Sequence, residues 1–193
     1  MTSFSHALAS RPEPQQSELV LALASLGLEV ISLPAFRFEA EKATANLSEC
    51  ARGALLIFTS PRAVSYGLAA LGGTIPDKAR AAAIGPATRA ALERQGIEAL
   101  QASGERHDSE ALLAKLEEEA APGRVLIFAA PGGRKALERG LEDRGWQVSV
   151  EPVYRRVLLP PDPAEARRLA GAEGILSLWT SAEAMNQVGK EGV

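Results

Sequence analysis

The chain has 193 residues, 46% of them hydrophobic and 23% charged, with a formal net charge of −3. Those proportions suit an ordinary globular protein of one large or two small domains. Scattered arginines on a slightly acidic chain exclude the broad basic surface that follows nucleic acid.

The most apolar stretch, Leu19 to Leu33, is interrupted by Ser25, Gly27 and Glu29, so it is too short and too polar to span a bilayer. Met1 to Arg11 shows no basic segment followed by an apolar run, so no secretory signal is read and a cytoplasmic location is expected.

The chain opens with its weakest element. Phe4 to Ala9 lacks a strong β-branched run, but Pro12 and Pro14 suit a helix start. Leu19, Leu23 and Leu26 recur at helical spacing, and Gly27 ends that helix before the strand Leu28 to Leu33. Pro34 to Ala40 then breaks the rhythm. The clearest unit follows: the apolar strand Leu55 to Phe58, the turn Thr59-Ser60-Pro61, and a helix whose buried face is Val64, Leu68 and Leu71, stopped by Gly72-Gly73. Ala81 to Ile84 with Gly85-Pro86 repeats it more weakly, with a helix that ends at Gly96. Val125 to Ala129 repeats it again, followed by Pro131-Gly132-Gly133, Leu137 and Leu141 on one helical face, Gly145, and the strand Gln147 to Val150. Pro160, Pro161 and Pro163 make Arg155 to Pro163 an extended connection, because proline denies the ladder its donors. The last copy begins at Ile175 to Trp179 with Thr180-Ser181.

Strands alternating with helices imply a doubly wound parallel sheet, since right-handed crossovers place helices on both faces. The two breaks, near 34–40 and 152–163, read as paired crossings between two domains. Residues 38–152 then form a continuous middle domain, and 1–35 combines with 157–193 to form the other.

Ligands of such sheets bind beyond the carboxyl ends of the strands, where helix amino termini present N–H groups and a positive dipole end. No turn here carries the spaced glycines of a nucleotide fingerprint. Arg62, Arg89, Arg134 and Lys135 all fall in or beside the first turn of a predicted helix, where a cation opposes the dipole at a cost of roughly 0.3–1 kcal/mol each. An anion held between the cation and the helix end would offset that cost; alternatively these long side chains simply bend into solvent. Thr59, Ser60, Thr88, Thr180 and Ser181 serve as helix caps, a role compatible with holding carboxylates. Tyr154 is either a half-buried packing residue or a neutral O–H donor. Cys50 is the only cysteine and receives no role, and His6 and His107 share no ligand spacing, so no metal site is expected.

In order along the chain, Leu55-Leu56-Ile57-Phe58-Thr59-Ser60-Pro61-Arg62-Ala63-Val64, Ala83-Ile84-Gly85-Pro86-Ala87-Thr88, Ser109-Glu110-Ala111-Leu112-Leu113 and Val153-Tyr154 resemble uroporphyrinogen-III synthases. Arg11-Pro12-Glu13-Pro14, Gly27 and Pro34 match the start of that family too. The resemblance implies two flavodoxin-like doubly wound domains joined by a two-stranded linker, with the site in the cleft between them. It also implies a monomer with no cofactor, acting on hydroxymethylbilane, a linear tetrapyrrole polycarboxylate. The reaction would lose the terminal hydroxyl as water, pass through a spiro intermediate and close with the last pyrrole ring inverted. Carried over by position, Thr59, Ser60 and Arg62 match a first binding turn, Thr88 a second, and Thr180 and Ser181 a third, on the other domain. Tyr154 matches the tyrosine that assists departure of the hydroxyl. Family members continue beyond the position of Val193, so the terminal domain is expected to be incomplete here. The rival expectation is a non-catalytic anion-binding module, or an inactive truncated copy.

Overall fold

The computed structural model describes residues 4–13, 15–101, 109–132 and 135–178. Strand β1 (His6–Ala9) buries Ala7, Leu8 and Ala9 despite its small residues. Helix α1 (Gln15–Ser25) lays Leu23, with Leu19 and Val20, against Ala7 and Ala9. Leu26, predicted on that buried face, is 74% exposed. The helix ends at Ser25, and Gly27 turns the chain at a φ of 79°, so Leu26 has already left the helical register. Strand β2 (Glu29–Ser32) follows, then β3 (Phe36–Ala40), where Phe36 and Phe38 meet edge to face at 5.4 Å.

The chain divides into two compact units, and residues 40–155 form the continuous one. Its elements are α2 (Leu47–Ala51), β4 (Leu55–Phe58), α3 (Pro61–Ala70), β5 (Arg80–Ala83), α4 (Pro86–Glu93), β6 (Ala99–Gln101), α5 (Ser109–Glu119), β7 (Arg124–Ala129), α6 (Lys135–Glu142) and β8 (Gln147–Pro152). The five strands lie in the order β6-β5-β4-β7-β8, and every pairing is parallel. All four residues of β4 are buried, as a central strand covered on both faces requires. Side chains alternate between those faces. Leu55, Ile57, Val125 and Ile127 meet Leu112, Leu113 and Leu116 of α5 and Leu137 and Leu141 of α6. Phe58 and Phe128 turn the other way, toward α3, where a Cβ added at Gly67 would lie 3.0 and 3.2 Å from their rings. Helix α4 ends through Gly96 at a φ of 72°, and Ile97 N–H closes the turn onto Leu92 O at 3.0 Å.

Numbered within the unit, the strand order is 3-2-1-4-5. It keeps the doubly wound layout, although flavodoxin itself runs 2-1-3-4-5. The winding reverses between β4 and β7, which places a topological switch point at their carboxyl ends.

Strand β9 (Tyr154–Leu158) pairs with β3. Ala35 O accepts from Leu159 N–H at one end and Val153 O from Glu41 N–H at the other, so the two strands run in opposite directions. The boundaries between the units fall within this pair. Helix α7 (Pro163–Gly171) and β10 (Ile175–Leu178) complete the described chain. Pro163, read from sequence as part of an extended connection, is the first residue of α7. Asp162 caps that helix, accepting from Ala164 N–H at 2.8 Å and Glu165 N–H at 3.0 Å. In the second unit β10-β1-β2 form a parallel sheet, with Leu169 and Ala172 on the Leu8 and Ile31 face, opposite α1.

Candidate active site

The switch point of the middle unit is built on one aromatic pair. Phe58 and Phe128 are in register on β4 and β7, and their rings stack at 4.9 Å and 17°. One residue beyond, Thr59 gives both its donors to the same acceptor: its N–H lies 3.2 Å and its hydroxyl 2.9 Å from Phe128 O. This adds a rung to the ladder and fixes where the chain leaves the sheet. Ser60 caps α3, its Oγ accepting from Ala63 N–H at 3.0 Å, and Pro61 occupies the first helical position. Arg62 follows on the first turn, half-buried.

Tyr154 reaches the same place from the far side of β7. Val153 N–H bonds Ala129 O at 3.1 Å, carrying the β8 pairing one residue past Pro152, and Tyr154 comes next. Its hydroxyl lies 3.3 Å from Ser60 Oγ, and its ring stacks on Tyr66 of α3 at 5.5 Å and 28°. The residue is buried, with 8% of its surface exposed. Just before it, the buried Glu151 is fully engaged: one carboxylate oxygen accepts from Thr44 N–H and the other from the Thr44 hydroxyl, both at 2.7 Å.

Thr59, Ser60, Arg62 and Tyr154 therefore share one end of one sheet. Thr88 is placed differently. It is the third residue of α4 and only 3% exposed, and its N–H turns back to Gly85 O at 3.0 Å. Its neighbour Arg89 is exposed and bonds Glu93 Oε1 at 2.7 Å one turn along the same helix. For Arg89 the side chain is solvent-facing, with its charge paired to a carboxylate four residues on. Lys135 opens α6, exposed. Arg134, Thr180 and Ser181 lie outside the described residues.

Proline at the first helical position has a cost in amides. Pro61 has no N–H and Ala63 N–H is taken by Ser60, so the first three positions of α3 offer at most the Arg62 N–H. Pro86 likewise removes one from α4. Sequence reasoning missed Tyr66, although it is one of only two tyrosines in the chain. The available signal was its position, one turn after Arg62 on the predicted helix. Among the described residues no three of His, Cys, Asp and Glu gather as metal ligands would, and no helix is long and apolar enough to cross a membrane.

Fold and site together define a doubly wound parallel α/β protein with a tyrosine hydroxyl and a capped helix start meeting at a topological switch point. That is where proteins of this class bind small molecules. Residues 17–188 match the family described as uroporphyrinogen-III synthase HemD. A uroporphyrinogen-III synthase of Salmonella typhimurium is 31% identical over 188 residues, covering 93% of this chain and 76% of that protein. The crystal structure of uroporphyrinogen-III synthetase from Helicobacter pylori aligns with a TM-score of 0.63 at 17% identity, over 97% of this chain and 78% of that one. A mutant uroporphyrinogen III synthase from Thermus thermophilus aligns at 0.59 and 20% identity, over 97% and 77%. At those identities the two structures speak for the fold alone. The chain belongs to the uroporphyrinogen-III synthase family.

Proposed function

We propose that this chain cyclises hydroxymethylbilane to uroporphyrinogen III, with loss of water and inversion of the last pyrrole ring. Family membership supplies the reaction. The observation that carries it onto these residues is the Tyr154 hydroxyl, 3.3 Å from the Ser60 cap at the switch point of the middle sheet.

The reaction begins when the terminal hydroxyl leaves as water, which requires a proton at the departing oxygen. Ser60 Oγ accepts from Ala63 N–H and lies 3.3 Å from the phenol oxygen, where either oxygen can donate; with the serine as donor, the phenol gives its own hydrogen to the departing hydroxyl. A hydrogen bond received by the phenol oxygen makes the phenol a better donor. The cation left behind is attacked by the substituted carbon of the last ring, giving the spiro centre. The bond from that carbon to its original methylene then breaks, the freed methylene closes on the unsubstituted α-carbon of the same ring, and the proton lost from that carbon restores the phenol. One linear substrate thus yields one macrocycle and one water. Because closure also proceeds uncatalysed without inversion, the protein must act largely by holding the productive conformer.

Arg62 and the first turn of α3 supply the charge complement for a substrate carboxylate, as the positive end of a helix does. Thr59 places that turn through Phe128, and the buried Thr88 supports the second turn from beneath. The same proposal assigns Thr180 and Ser181 to a third binding turn. It takes the protein as a cytoplasmic monomer that binds neither cofactor nor nucleic acid.

The test is to supply hydroxymethylbilane and separate the product isomers. The parent chain is expected to give isomer III, and Tyr154→Phe to lower kcat by roughly a hundredfold, the lower end for a general acid. Isomer I alone from the parent chain would leave an anion-binding module without turnover.

A further inference from the structure

We propose that Tyr66 is a positioning residue for Tyr154, and that its aromatic ring rather than its hydroxyl performs this role. The inference rests on the cyclising function proposed above.

A tyrosine held only at its hydroxyl remains able to swing about its side-chain bonds, so its acidic hydrogen sweeps an arc. Tyr154 is held at its oxygen by Ser60 and on its ring face by Tyr66. Both supports come from α3: Ser60 is its cap and Tyr66 lies within it. The helix can deliver both because it rides close to the sheet. Gly67, the residue after Tyr66, passes so near Phe58 and Phe128 that a methyl group there would touch both rings. The stacked phenylalanines therefore set the height of α3, and that height sets where the Tyr66 ring meets the Tyr154 ring. A hydroxyl that must meet one oxygen of a flexible substrate gains from a second restraint, since small errors in placement cost rate.

If the ring is what matters, Tyr66→Phe keeps kcat within about twofold, whereas Tyr66→Ala and Tyr66→Leu lower it about 3- to 10-fold, the range for one aromatic pair. KM for hydroxymethylbilane should stay within about twofold, because the ring acts on an acid rather than on a carboxylate. In a Tyr154→Phe background, Tyr66→Ala should add almost nothing, since the group it positions is already gone. Thermal unfolding of each variant identifies any that fail to fold, and Tyr66→Leu keeps apolar volume should the alanine variant be unstable.

The inference is overturned by Tyr66→Phe as slow as Tyr66→Ala, or by an undiminished effect of Tyr66→Ala after Tyr154→Phe. Isomer III from the parent with Tyr66 variants unchanged defeats this inference alone. Isomer I alone from the parent defeats the function it rests on.

Discussion

Thr59 shows how little a candidate side chain can have to spare. Its hydroxyl is committed to Phe128 O, so Thr59→Val, which keeps shape and loses the donor, should destabilise by about 1 kcal/mol in denaturant titration. Charge at the surface obeys a different rule. In the terminal unit Arg168 bonds Glu29 at 2.7 Å, and also pairs with Glu165. The Arg168 hydrogen bond, then its charge, then that of His6, hold the Glu29 carboxyl below its ordinary range. A depressed carboxyl contributes stability above its unfolded pKa and loses it as pH falls through the lower folded one. Acid unfolding of Glu29→Gln should therefore start from slightly lower stability at neutral pH and fall less steeply below the carboxylate range, with the difference fading in high salt. Tyr154, Ser60 and Arg62 were legible as candidates because each sits beside a strand end that the sequence marks. The Tyr66 contact was not, because its partner arrives from a strand far along the chain and no local spacing announces it.

At the scale of elements, α3 is the piece on which the site depends. Gly67→Ala gains up to about 1 kcal/mol of helix propensity. The added methyl must displace two fully buried stacked rings, which costs about 1–3 kcal/mol, so a lower Tm is expected. A lowered Tm together with a lowered kcat would link the height of α3 to Tyr154, since the nearest neighbours of a methyl at Gly67 are the two phenylalanine rings. Helix α7 makes the contrasting case. It buries no residue fully and leans on its cap, so Asp162→Ala should cost about 1 kcal/mol by denaturant titration. That helix was missed from sequence because three prolines within four positions read as a breaker, whereas the last of them, following an aspartate, is a helix start. Leu26 misled for the opposite reason: its spacing was helical, but the glycine after it ended the helix first.

Across the whole chain, the alternation of strand and helix was enough to predict parallel sheets with helices on both faces. Strand order was not legible, because periodicity tells which residues are buried and not which strand lies beside which. The two units also differ in how much they bury. The middle sheet has its central strand buried on both faces, with α5 and α6 against one and α3 against the other, while among the described residues the terminal sheet rests on α1 and α7. Hydrogen exchange should therefore be slowest at the amides of β4 and β7 and measurably faster at β1; equal protection would show that the units unfold together. The central position of β4 carries a further implication. Its neighbour β7 lies 69 residues later, counted from Thr59 to Phe128. A ribosome adding about 5–20 residues each second needs roughly 3–14 s to make that stretch. Throughout that interval the nascent chain carries four adjacent apolar residues whose inner partner has not been translated, which leaves Leu55 to Phe58 open to unwanted pairing at birth.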